Sequence, residues 1–423
     1  MRTLRFSINV KAIDCYIYGG YLFLALEDGK FGYVPMSRIM HQLKGKYPEF
    51  QSLLRMAFER NDFFSNETGK TYLGIKEVML TLIKLWEFAS ESIEFCLDFE
   101  DIENDFYLID IVHSFPILDI KMYAMTLFVG CKDGLFESRL NLGNDNYSIE
   151  PAKFRKKFDA KIVGLNAYCG SIVVSTGNDG MFFGPFDLNT GVNMDEKPVD
   201  AVSYRTSWSS TDIVNYKSSS DFDYLVNKVE KFEDKPNFSK FDERSERKRI
   251  VKLCEKKYDM NNLFQAGQLV LDDVIYAFNS SSSSFVLTKK GFYNMNFVKT
   301  GDDIHLSSKV NELSLFDKKR KFEKPISASV IPAGCVIEFF DKVVVVRGNK
   351  VLDIESEPAY SVRSYMASFR YRNLVSITKQ NSVSIHSLDP FETYSFIPEK
   401  GINLFRGNER YAFKNVEQEE LPF

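Results

Sequence analysis

A chain of 423 residues with a formal net charge of −4 exceeds one ordinary hydrophobic core and has no global attraction to nucleic acid or anionic membrane. Its apolar and charged fractions, 44% and 26%, are those of a globular protein, and no run nears the ~18 apolar residues of a membrane-spanning helix. The excess lies in 38 phenylalanines and 21 tyrosines, which suit strands that pack sheet on sheet.

The opening MRTLRFSINVKAIDCYIY alternates like a strand and lacks an apolar signal core, so no signal peptide is expected. Phe6, Ile8 and Val10 suit an edge strand that pairs with residues 394–413 near the other end of the chain. YLFLALE and KFGYV then form a hairpin turning at Asp28. Residues 36–92 change period. Met40, Leu43, Tyr47, Phe50, Leu53, Leu54 and Phe58 fall at helical spacing. After a polar stretch over 61–69, Ile75, Val78, Met79, Leu82, Leu85, Trp86 and Phe88 mark a second amphipathic helix. This segment reads as a helical insertion. Strand character resumes at 93–99 and 106–112.

Hairpins follow at Asp133 (TLFVGCK, LFESRL) and at Asp179-Gly180 (IVVSTGN, MFFGPF). Residues 209–262 turn polar and charged and read as a second, partly helical insertion. A short helix is expected over 222–232 and another over 243–257, ERSERKRIVKLCEKK, with Ile250, Val251, Leu253 and Cys254 as a narrow apolar stripe. Beyond Gln268 the strand pattern returns, with hairpins turning at Lys290, Asn349, Asn381 and Asn408. The end of the chain, 417–423, is acidic.

The seven hairpins share one pattern: a short apolar strand, a polar turn and a second strand. The intervals from Asp133 to Asp179 and from Lys290 to Asn349 are those of a four-stranded blade, ~40–50 residues. Those from Asp28 to Asp133 and from Asp179 to Lys290 are about twice as long and contain the insertions. The chain resembles the WD40-like β-propellers in this architecture. The resemblance implies a mainly β fold: one β-propeller of about seven blades over residues 1–423, with insertions at 36–92 and 209–262. No Trp-Asp dipeptide closes a repeat and no Gly-His opens one, so no functional residue carries over from a particular family.

The sequence offers little catalytic chemistry. No GxSxG elbow, Walker loop or dinucleotide fingerprint is present. His41, His113, His305 and His386 share no metal-binding spacing, and the Asp-Gly and Asp-Asp pairs lack the rest of a calcium loop. No cofactor or metal is expected. The six cysteines include no CxxC pair and read as reduced thiols of a soluble, cytoplasmic protein. Arg244, Arg247, Lys248 and Arg249 cluster on the second expected helix, and 318–321 form another basic group, but interleaved acids cancel much of the field. The apolar stripe of Leu82, Leu85, Trp86 and Phe88 must be covered, either by the chain's own flank or by another chain. The reading is a non-enzymatic interaction scaffold or recognition subunit of a multi-protein complex, with those eight residues as candidate partner contacts. The alternatives are a nucleic-acid-binding subunit using the basic segments, and an enzyme with its site at a propeller channel.

Overall fold

The apolar runs between turn residues become strands, and their pairing follows the turns. Tyr21–Leu26 and Phe31–Pro35, for example, pair antiparallel across Asp28, with Leu22 opposite Val34 and Leu24 opposite Gly32. The computed structural model describes residues 2–109, 117–142, 149–151, 154–187, 190–194, 196–233, 246–266, 274–280, 283–289, 291–300, 303–306, 311–313, 324–348, 350–366, 368–394, 401–402 and 410–411. Among them the protein is mainly β, with seven sheets of four or five strands and one two-stranded ribbon. The chain divides into two compact units, residues 1–109 with 325–423, and residues 110–324.

The first unit holds three of these sheets. One is built from Ala12–Tyr18, Tyr21–Leu26, Phe31–Pro35 and Tyr107–Leu108, and one from Ser327–Ile331, Gly334–Glu338, Val343–Arg347 and Lys350–Glu355. The third runs Ser361–Ser364, Leu374–Thr378, Ser382–Leu388, Thr3–Asn9, Phe95–Asp98. The N-terminal strand therefore closes a sheet, but its partner is Ser382–Leu388 and not residues 394–413, with Phe6 opposite Ile385 and Ile8 opposite Val383. The physical reason is the alternation of SVSIHSL, whose Val383 and Ile385 are buried beside Phe6 and Ile8. Farther along, Gly401–Ile402 pairs with Arg410–Tyr411, and the turn at Asn408 lies outside the described residues.

The 36–92 segment is helical and packs on this third sheet. Met36–Lys46, Gln51–Leu54 with its continuation Arg55–Glu59, Glu67–Leu73 and Lys76–Ser92, with the short turns Pro48–Phe50 and Asn61–Phe64, place Phe50, Leu53, Phe58, Phe64 and Trp86 in one core with Leu4, Phe6 and Ile8. The stretch 61–69 is not a plain loop, because Asn61–Phe64 turns as a 3-10 helix and Asn66 caps the next helix by accepting from the Gly69 N–H at 2.7 Å. The segment returns to the sheet as Phe95–Asp98, which pairs parallel with Thr3–Asn9 and covers what would otherwise be an open edge.

The second unit holds four sheets. Their first strands are Ile117–Tyr123, Gly164–Tyr168, Arg205–Ser209 and Val274–Ser280. The segment expected as a charged insertion supplies three strands of one of these sheets: Asp212–Tyr216, Phe222–Glu233 and Glu246–Asp259 follow Arg205–Ser209 in it. The two expected helices are thus a long antiparallel hairpin. The register slips near Asn227, where Cys254 has φ +46° and gives its N–H to Asn227 Oδ1 at 3.1 Å. That bulge breaks the two-residue alternation, which is why Ile250, Val251, Leu253 and Cys254 look like a helical stripe in the sequence. Helix-forming Glu, Lys and Arg are overridden by a paired strand alongside.

Within each unit, consecutive sheets touch through their first strands, and side chains make the links. Asp119 accepts from its own neighbour Ile120 N–H at 2.8 Å and from Leu165 N–H of the next sheet at 2.8 Å. Asn166 donates to Thr206 O at 3.0 Å, and Arg205 donates to Ala277 O at 2.6 Å while stacking between Tyr216 and Tyr276. In the first unit Asp14 plays the part of Asp119: it accepts from Cys15 N–H at 2.9 Å and holds Arg363 at 2.5 Å. Both aspartates follow a bulge in the first strand, between Ala12 and Asp14 and between Ile117 and Asp119.

Candidate interaction surface

Helix Lys76–Ser92 carries four of the eight candidate partner contacts, and the fold separates them. Trp86 and Ala89 are three residues apart, share one side of the helix and are buried. The Trp86 indole meets Phe64 edge-on at 5.9 Å and Phe391 at 6.3 Å, so it is an internal anchor and not an exposed hot spot. Leu82 and Leu85 are half-buried at the rim of the same core. Phe88 stands outside, 55% exposed, with its ring stacked on Phe50 at 6.2 Å. Val78, Leu80 and Ile83 are only half-buried, so the helix presents more apolar surface than its own core covers. Tyr72, on the adjoining helix Glu67–Leu73, is 54% exposed.

This helix is held firmly. Arg2 pairs with Glu87 and lies 3.4 Å from Glu91. Arg5 reaches Glu94 at 3.1 Å, and Asn9 donates to Asp98 at 2.7 Å. Asn61, buried, donates to Ala57 O and to Ser387 Oγ at 2.9 and 3.1 Å. Phe88 is thus presented on a base that is fixed by backbone pairing, ion pairs and a core.

The basic candidates do not share one helical face. Arg247, Lys248 and Arg249 lie on strand Glu246–Asp259, opposite Phe232, Lys231 and Glu230. Arg244 and residues 318–321 lie outside the described residues.

Ionisable groups inside the sheets are held by structural partners. Asp223 sits between Lys217 at 3.1 Å and Lys257 at 3.0 Å. Asp212 accepts from Tyr224 Oη and Asn227 N–H, both at 3.0 Å, and meets Lys299 at 2.7 Å. Burial pushes the thiols of Cys15 and Cys131 up to about 11 and that of Cys335 to about 12, so these three are inert at neutral pH. Burial also lowers His386 to about 3, leaving a neutral ring 2.9 Å from Ser384 Oγ. Among the described residues no group of three or more His, Cys, Asp or Glu is placed to hold a metal ion. His113 lies outside them. No described helix is long and apolar enough to cross a membrane.

The sequence reading missed a second exposed cluster, around Met366 and Phe369. Its signal was the run Phe369-Arg370-Tyr371-Arg372, which alternates aromatic rings with guanidinium groups.

No known family profile matches the sequence, and no curated protein matches it. Among solved structures, BBS1N, crystallised in complex with ARL6DN, aligns over 94% of this chain and 100% of its own, with 11% identity and a TM-score of 0.45. The computationally designed Ika8 protein covers 92% of this chain and 100% of its own at 8% identity and a TM-score of 0.40. A putative 6-phosphogluconolactonase from Bacteroides uniformis covers 62% of this chain and 76% of its own at 12% identity and a TM-score of 0.38. Likenesses of this degree assign neither a family nor an activity.

Proposed function

We propose that the chain is a non-catalytic recognition subunit of a multi-protein complex, that its sheets are propeller-type blades, and that it contacts another protein through the helical layer laid over strand Thr3–Asn9. One observation carries the reading: Phe88 and the half-covered Leu80, Ile83 and Leu85 form apolar surface on a rigid base. Exposed aromatics that are fixed in advance bind with little ordering cost, and such residues dominate protein interfaces. The six free cysteines suit a reducing compartment.

The test is quantitative co-purification from the native host with wild-type chain and with Phe88→Asp. The expected result is a stoichiometric partner that is lost with Phe88→Asp and retained with Phe340→Asp, a change at an exposed hairpin turn. Equal recovery by all three chains, each with an unchanged melting temperature, overturns this assignment of the surface.

A further inference from the structure

In two sheets of the first unit, the first and second strands are joined by tight turns, as between Tyr18 and Tyr21 and between Ile331 and Gly334. In the third, the connection from Ser364 to Leu374 is much longer. Its described residues are nonetheless pinned. The Tyr365 hydroxyl accepts from Ile17 N–H at 3.1 Å and lies 2.5 Å from Ser376 Oγ. Ser368 N–H donates to Tyr365 O at 2.7 Å, Tyr371 N–H donates to Ser368 Oγ at 3.1 Å, and Asn373 donates to Leu388 O at 2.8 Å. This ordered connection holds Met366 46% exposed and Phe369 62% exposed, against the usual tendency of such side chains to be covered.

Two arginines flank the aromatic rings of this connection. Arg372 stacks on the Phe369 ring at 4.7 Å, and Arg370 lies 5.4 Å from the Tyr371 ring. Arg370 donates from Nε to Glu59 O at 2.6 Å, at the end of the Arg55–Glu59 turn. Arg55 approaches Glu59 at 3.4 Å, and Arg60 approaches Asp62 at 3.2 Å. Arg370 also lies 4.0 Å from the Glu59 carboxylate, so three arginines share two carboxylates, and with Arg372 the group carries an excess of positive charge. Arg372 meets no carboxylate among the described residues, and its buried Nε has no hydrogen-bond partner there. The buried Tyr371 hydroxyl also lacks one.

We propose that Met366, Phe369, Arg370 and Arg372 form a second docking surface, for an acidic protein segment that also carries an apolar side chain. Phe369 and Met366 take the apolar group, and the guanidinium forks of Arg372 and Arg370 take its carboxylates. Charge complementarity favours this occupant. A nucleic-acid backbone would bring phosphates against Glu59 and Asp62, whereas a short peptide can place its carboxylates on the arginines alone. The surface is distinct from Phe88, so the inference stands apart from the helical-layer reading.

The experiment selects binders from a random-peptide display library on the immobilised full chain, with oligo-uridine RNA tested in parallel. Enriched peptides should combine several Asp or Glu with an aromatic or aliphatic residue. A synthetic copy of the strongest should bind about tenfold more weakly to Arg372→Glu and to Phe369→Ala, equally well to Phe88→Asp, and less tightly as salt rises. Circular dichroism melts of each variant confirm that the fold is retained. Selection without acidic enrichment, peptide binding indifferent to both variants, or RNA binding that depends on Arg372 overturns the proposal.

Discussion

Gly180, in the hairpin turn at Asn178-Asp179, has φ +94°, and a Cβ there would lie 2.1 Å from Val199 O. That carbonyl belongs to the outer strand of the same sheet, so the turn needs glycine both for its conformation and for a close backbone approach. Gly180→Ala should cost about 2–4 kcal/mol, measured by urea unfolding. Ala124 is the opposite case. It sits exposed with φ +48° in the turn between Ile117–Tyr123 and Thr126–Cys131, a place where the turn between Ala12–Tyr18 and Tyr21–Leu26 carries Gly19. Ala124→Gly should stabilise by up to about 1 kcal/mol in the same assay. Residue chemistry also sets the response to acid. His386 ionises near 3 when folded and near 6.5 when unfolded, so between those values the unfolded chain binds more protons and stability falls as pH falls. Asp389, raised from 3.8 to about 6 by burial, acts in the opposite sense between those values: its folded form holds the proton, and stability rises as pH falls. Between about 6 and 3.8 the two oppose each other, so removing the histidine isolates its contribution. His386→Gln should show a shallower loss of melting temperature than wild type from pH 6.5 towards pH 4.

At the scale of elements, the N-terminal strand is central to its sheet. Thr3–Asn9 is paired on both sides, by Ser382–Leu388 and by Phe95–Asp98, and Phe6 meets Phe58 edge-on at 4.8 Å. Phe6→Ala should therefore cost about 3–5 kcal/mol by chemical unfolding, the range of a buried aromatic lost from a core. Deleting residues 1–10 should lower the melting temperature further; an unchanged temperature would count against the pairing. In helix Lys76–Ser92, Trp86→Ala should cost a similar 3–5 kcal/mol, while Phe88→Ala should change stability by under about 1 kcal/mol. The sequence placed these two aromatics in one stripe because helical spacing alone cannot say which side of the stripe faces a core. The long hairpin Phe222–Glu233 and Glu246–Asp259 shows the same limit. Its residues favour helix locally, and a partner strand made them β.

Across the whole molecule, both units repeat one sheet plan, and part of that repetition was already written in the residues. The segments IDCYIYGGYLFLALEDGKF and LDIKMYAMTLFVGCKDGLF align without a gap, with Asp14 matching Asp119 and Asp28 matching Asp133. Both first aspartates follow a bulge and tie their strand to a neighbouring sheet. Six of the seven hairpins read from the sequence each lie in a sheet of their own, whereas the turn of the seventh, Asn408, lies outside the described residues. In the sheet that begins with Arg205–Ser209, the strands after the first fall in 209–262, which charge and a bulge disguised as an insertion. Hairpins and amphipathic helices were legible because a two-residue or 3.6-residue period and a turn residue are local properties of the chain. The partner of the N-terminal strand, the strand state of 246–259, the burial of Trp86 and the Arg–aromatic surface around Phe369 were decided only by the tertiary structure. Each depends on groups far apart in sequence, whose contacts no local period encodes.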